Sequence, residues 1–416
     1  MGIDTGDSAF VLVSSALVLL MTPALGFFYG GMVRRKNSLN TLMSCFFICG
    51  LASLMWVVGG YSLAFGKDHA GIIGGLGKVF FNGVGANANP AYASTIPESL
   101  FAVFQMMFAI ITPALIVGSV EGRMRFKALF IFIALWSIAV YYPLAHMVWG
   151  DGGFLRNLGA LDFAGGNVVH ISSGVSGLVA CIILGKRHGY GMLSYKPHNI
   201  PFVVLGAGLL WFGWFGFNAG SALGAGPLAV HAFLTTNTSA ATALLVWMAI
   251  ETFKFGKPTI MGAATGAVIG LVAITPAAGF VPVWASIVIG GAVSPLCFFF
   301  MTKVKPFFGY DDALDAFGCH GIGGIWGGIA TGLFATKSVN PAVQSEGFAY
   351  SLDPHLLVVQ LESIGVTIAL AAIATFVIMT ALSKVMKIRV SKESEQLGLD
   401  FAEHQESAYP AFSGLD

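Results

Sequence analysis

Two histidines stand inside apolar stretches in matching contexts. His170 lies in LDFAGGNVVHISSG (161–174) and His320 in LDAFGCHGIGG (314–324). Both segments open Leu-Asp, pass a Phe and a Gly, reach the histidine, and place a glycine four residues later, at Gly174 and Gly324. A neutral imidazole carries one donor and one acceptor, so two facing rings could relay hydrogen bonds or protons. An ionisable group in a bilayer is costly, and one that faces a bundle interior marks function by default. For either residue alone, a core histidine satisfied by a Ser or a carbonyl is the common alternative; the repeated context argues against it for the pair. Haem would want paired histidines on each of two helices, and these segments supply one each. No carboxylate or thiol cluster accompanies both rings, and Cys319, adjacent to His320, points off its face. Neither a metal nor another cofactor is expected.

Aromatic residues gather where they could serve one small cation. Phe104 and Phe108 are four apart, AHMVWG ends on Trp149 and Gly150, and WFGWFGFNAGSA (211–222) sets Phe217 and Ser221 four apart. A cation over an aromatic face gains roughly 0.5–2 kcal/mol, with Trp best, and a Ser oxygen can accept from the same ion. The competing explanation is ordinary packing and an interfacial aromatic belt, since 35 phenylalanines cannot all be special. Asp162 and Asp315 read as helix N-caps or as attractors of a cation.

The elements that must position these groups are membrane helices. The 416-residue chain is 56% hydrophobic and only 10% charged, against roughly 25% charged in soluble proteins. Eleven apolar runs, near 8–31, 38–65, 98–120, 128–149, 167–184, 201–222, 230–252, 259–279, 283–302, 319–336 and 356–384, approach the length of about 20 residues that spans a bilayer core. The expected fold is all-α and integral to the membrane, one domain over 1–386 with a polar tail over 387–416. The Gly/Asn-rich loop 67–97 reads as irregular structure. Alternate loops and the tail hold 17 of the 21 Lys and Arg; the other loops hold only Lys67, Lys78, Arg156 and Lys337. Basic loops stay inside, so the N-terminus is expected outside and the C-terminus in the cytoplasm, as an odd number of spans also requires. Asp4 and Asp7 precede the first run without a basic n-region, so that run is expected to be retained rather than cleaved. A net charge of +1 offers no nucleic-acid footprint, and the five cysteines (45, 49, 181, 297, 319) read as small buried residues.

The chain has 54 glycines, about 13% against an average of about 7%, and small residues let membrane helices approach closely. His320, Gly324, Gly328 and Gly332 share one helix face, as do His170, Gly174 and Gly177. The histidine echo falls on spans five and ten. A second set of five must be inserted upside down, so two inverted repeats are expected, about 8–184 and 201–336, plus an eleventh helix over about 356–384. If Asp162 and Asp315 mark helix starts, the histidines lie about 8–12 Å along their helices at 1.5 Å per residue, and the rings meet near the midplane of a core about 30 Å thick.

FFYGGMVRRKN (27–37), AHMVWG (145–150), LDFAGGNVVHI (161–171), GWFGFNAGSA (213–222), TPAAG (275–279), DAFGCHG (315–321) and EQLGLDFAEHQESAYP (395–410) together resemble the ammonium transporter family (the Amt/Mep/Rh superfamily), nearest its prokaryotic Amt branch. The resemblance covers nearly the whole chain. It implies an eleven-helix, N-out fold, a homotrimer in the plasma membrane with a pore in each subunit, and transport of ammonium or ammonia. By motif, His170 and His320 match the twin pore histidines, and Phe108 and Phe217 the stacked outer gate. Trp149, Phe104 and Ser221 match the external ammonium site, and Asp162 the acidic residue close to it. The resemblance further implies a PII-type signal protein as a cytoplasmic partner. An ammonium sensor with little flux is the alternative within the family, and a water or carbon dioxide channel is another membrane-pore reading. An intramembrane enzyme would need a nucleophile–base pair or metal ligands; neither G-x-S-x-G nor H-E-x-x-H occurs, so no enzyme is expected.

Overall fold

The computed structural model describes residues 2–193 and 195–409. Pro410, which ends the tail motif, and the rest of the tail to Asp416 lie outside the described residues. The apolar runs all fall on helices. We label them α1 (Thr5–Met32), α2 (Arg35–Phe65), α3 (Glu98–Val120), α4 (Phe126–Leu158), α5 (Gly166–Leu184), α6 (Ile200–Gly220), α7 (Pro227–Phe255), α8 (Ile260–Ile274), α9 (Val283–Phe308), α10 (Ile322–Phe334) and α11 (His355–Val385). Among the described residues, nine are long and apolar enough to cross a membrane; α8 and α10 are not among them. The run expected over 259–279 is helical only to Ile274, with Thr275 as its C-cap and Pro276 following. The glycine-rich α10 is entered through a separate turn, Phe317–Gly321.

Glycine spacing dictates how the halves meet. Gly206, Gly213 and Gly220 recur every seven residues on α6, and a Cβ at any of them would lie within 3 Å of Phe28, Met21 or Ser14 on α1, respectively. Rising numbers on α6 meet falling numbers on α1, so the first helices of the two halves run antiparallel in backbone-close contact. The histidine helices do the same. A Cβ at Gly174 would sit 2.3 Å from the Gly321 nitrogen, and one at Gly324 would sit 3.1 Å from the His170 Cβ. Exposed side chains such as Phe46, Leu54 and Ile373 give the outer surface of the bundle an apolar coat.

The loop after α2 is more ordered than its composition suggests. Asp68–His69 pairs antiparallel with Ile73–Gly74, and Glu98 ties the loop down by accepting from the Tyr61 hydroxyl (2.8 Å), Asn89 Nδ2 (3.1 Å) and Lys78 Nζ. At the opposite end, the tail folds back over the bundle. The Asp400 carboxylate accepts from the Asn40 backbone N–H (2.8 Å) at the start of α2, and Asn37 Oδ1 accepts from the Leu399 N–H (3.0 Å). The tail thus supplies the cap that Asn37 does not give its own helix.

Candidate functional site: a column of rings between two cavities

Each histidine sits on a π-helical turn at the start of its helix: Gly166–Ile171 for His170 and Phe317–Gly321 for His320. Such turns widen the ladder and often accompany function. The start of α5 is held by Asp162, whose Oδ1 accepts from the N–H of Gly165 (2.8 Å) and Gly166 (2.6 Å) and whose Oδ2 accepts from Asn167 (2.8 Å) and Val168 (3.3 Å). Burial pushes this carboxyl's pKa up, against the four N–H groups that favour the anion.

In the second half, the matching cap is Asp312, not Asp315. Asp312 accepts from the Ala316 N–H (3.2 Å) and the Phe317 N–H (2.8 Å). It stands eight residues before His320, as Asp162 stands before His170. Asp315 instead has a left-handed backbone (φ 58°) and pairs with Lys305 at 2.7 Å. The Leu-Asp lettering of the echo is therefore out of register with the fold.

The rings form one column. Phe108 lies 6.0 Å from Trp149 and 4.4 Å from Phe217. Phe217 lies 6.0 Å from His170, and His170 stacks on His320 at 5.4 Å with an interplanar angle of 16°. Both phenylalanines are 1% exposed. Neither nitrogen of His170, nor Nδ1 of His320, has a hydrogen-bond partner in the protein. Buried polar atoms usually find a partner, and three ring nitrogens side by side in this column find none in the protein. Trp214 flanks His170 at 5.5 Å and is itself fixed by donating to Thr275 Oγ1 (2.9 Å).

A cavity opens at each end. One, of about 240 Å³, is lined by Phe108, Trp149, Asp162 and Ser221, together with Tyr92 and Gln105. The other, of about 400 Å³, reaches His320 and is walled by Tyr29, Tyr195, Trp247 and Glu251. At the first, Trp149 is oriented because its indole N–H donates to the Asp162 carbonyl (2.9 Å), leaving the ring face free. Ser221 donates its proton to the Phe217 carbonyl (2.8 Å), so its oxygen can still accept. Phe104 does not line this cavity. It is buried behind Phe108, 5.0 Å away, and fills the space beside Gly220.

Several residues of the site carry no motif of their own. His146, fully buried, bonds the Ala64 carbonyl (2.9 Å) and Asp68 (2.9 Å) and so fastens the Trp149 segment to the hairpin; it was visible only as one letter of AHMVWG. Trp214 was one of several aromatics in its segment, and Gln105 is one residue from Phe104. The described residues hold no group of three or more His, Cys, Asp or Glu able to bind a metal.

The chain has likenesses among known proteins in both sequence and fold. The profile of the Ammonium Transporter Family matches residues 9–409. An ammonium transporter of Bacillus subtilis is 52% identical over 404 residues, covering 97% of this chain and 98% of the relative. Among solved structures, Saccharomyces cerevisiae Mep2 is 37% identical with a TM-score of 0.86, covering 94% of this chain and 88% of that one. A structure described as a Sensor Amt Protein is 27% identical with a TM-score of 0.88, covering 96% and 98%. The chain therefore belongs to the ammonium transporter family, a family of multi-pass membrane transporters and not of enzymes.

Proposed function

We propose that this protein moves ammonium across the plasma membrane along the ring column, recruiting the cation at the 240 Å³ cavity and passing ammonia, with or without its proton, between His170 and His320. The observation that carries this reading is the set of orphan imidazole nitrogens. They need a partner, and the protein supplies none, so a small hydrogen-bonding molecule passing between the cavities completes them. A bare cation entering low dielectric faces an idealised cost of about 20 kcal/mol. Splitting it into neutral ammonia, which enters the column, and a proton, which either returns to water on the outer side or passes along the paired rings, avoids most of that cost. Trp149 and Ser221 select the cation with a π face and an oxygen, and Phe104 acts from behind by holding Phe108 in place. Phe108 and Phe217 exclude water. Asp162 keeps the mouth in shape by capping α5 and seating Trp149.

The wider frame is part of the same proposal: eleven spans in two inverted five-helix halves and an eleventh helix, N-terminus outside, transmembrane unit 1–386 and cytoplasmic tail 387–416. Each subunit of a homotrimer carries its own pore, and a PII-type protein docks over the basic inner loops. A sensor role is the second reading, favoured by the likeness to the solved Sensor Amt Protein. Purified protein in liposomes tests the choice. Ammonium gradients should drive flux above that of protein-free vesicles; ammonium binding without flux would favour the sensor, and neither would end both readings.

A further inference from the structure

Gln105 is a polar residue in a ring-lined place, and its amide is unexplained by the fold. Its side chain lines the outer cavity with Phe108, Trp149 and Ser221, yet the residue is only 9% exposed. Its carbonyl oxygen is buried with no donor in the protein. Leaving such an acceptor unpaired costs about 1–3 kcal/mol, and a leucine of similar size would fill the position without that penalty. A half-turn of the amide exchanges oxygen and nitrogen at almost no change in shape. Only the orientation that turns the oxygen to the cavity suits a cation.

The other acceptors at this mouth are few, and the Asp162 carboxylate that also lines it already accepts from four backbone N–H groups. The Trp149 indole N–H is committed to the Asp162 carbonyl, so Trp149 offers its π face. Ser221 offers one oxygen. An ammonium ion has four N–H donors, and one face plus one hydroxyl leaves donors unmatched. The Gln105 amide on the same wall, turned so that its oxygen faces the cavity, is the missing kind of group.

We propose that Gln105 is a specificity-determining residue of the outer site, its side-chain carbonyl accepting a hydrogen bond from the ammonium ion. This rests on the cavity being the entry point of transport. The test uses full-length protein in liposomes with ammonium-gradient-driven currents for wild type, Gln105→Leu, Gln105→Met and Gln105→Glu. Leu and Met remove the acceptor at similar volume; Glu keeps it. Loss of a hydrogen bond to a charged group should raise the half-saturating ammonium concentration about tenfold or more in both apolar variants. Maximal current should stay within about twofold, and Glu should restore half-saturation to the wild-type value or below. Wild-type current with unchanged half-saturation in the Leu and Met variants overturns the role of Gln105 alone. A fall in maximal current only, or a Glu variant that behaves like Leu, overturns it too, because a structural defect predicts those results. Absence of any wild-type ammonium current overturns the transport reading and this proposal together.

Discussion

Gly174→Ala is the smallest change that should separate the two histidines. The added methyl would lie 2.3 Å from the Gly321 nitrogen and 2.6 Å from its Cα. Ordinary contact begins near 3.4 Å, so α5 and α10 must part by about 1 Å at the crossing. The obstacle is backbone, so no rotamer change relieves it, and overpacking of this kind costs about 1–3 kcal/mol. His320 immediately precedes Gly321, and its ring stacks on His170 at 5.4 Å. Widening that gap weakens both hydrogen bonds to a molecule held between the rings. A barrier higher by about 1.4 kcal/mol lowers flux about tenfold. Gly365→Ala on α11 is the control: a Cβ there meets nothing within 4 Å, and helix propensity favours Ala by about 1 kcal/mol. Ammonium flux in liposomes and thermal melting in detergent report the two effects. Wild-type flux and melting in Gly174→Ala, or an equal loss in Gly365→Ala, would refute the reasoning.

Trp149→Leu should raise half-saturation for ammonium about two- to thirtyfold, the worth of a cation–π contact, with less change in maximal flux; dose–response currents check this. Arg156 lines the 240 Å³ cavity and donates to the carbonyls of Trp149 (3.0 Å) and Ala91 (3.4 Å), with no carboxylate partner among the described residues. Arg156→Gln should therefore improve apparent affinity about two- to fivefold at low ionic strength, an advantage that 0.15 M salt shrinks. Glu121, buried beneath the tail, is pushed by burial from 4.5 up to about 7. A raised carboxyl pKa means that the folded state holds the extra proton, so stability is lost as pH climbs from about 4.5 to about 7, by about 3 kcal/mol in all. Denaturation midpoints of wild type and Glu121→Gln across this range should converge at low pH and diverge near pH 7, with the variant the more stable; parallel curves would contradict it.

Much of the frame was legible because membrane helices announce themselves. Long apolar runs mark helices without tertiary knowledge. The facing of His170 and His320 was readable from glycines that recur at helical spacing beside each. What failed was register. The two segments share Leu-Asp letters, whereas the fold keeps the distance from a capping carboxylate to its histidine, and only backbone angles reveal that Asp315 turns left-handed. Phe104 looked equivalent to Phe108 at a spacing of four, yet one lines a cavity and the other stands behind it. Tail docking also escaped, since Asp400 caps a helix some 360 residues earlier. Contacts of that separation leave no local periodicity. Gln105 could not be singled out, because an unpaired atom is defined by its neighbours in space.

The central claim is that the stacked histidines form the conduction path. The most direct measurement is solid-supported-membrane current, with a proton-sensitive dye inside the vesicles, for wild type, His170→Ala and His320→Ala under ammonium and then potassium gradients. Wild type should respond to ammonium and not to potassium. The variants should fold, and either lose the ammonium response or admit potassium. Variants that keep both wild-type flux and wild-type selectivity would contradict the account.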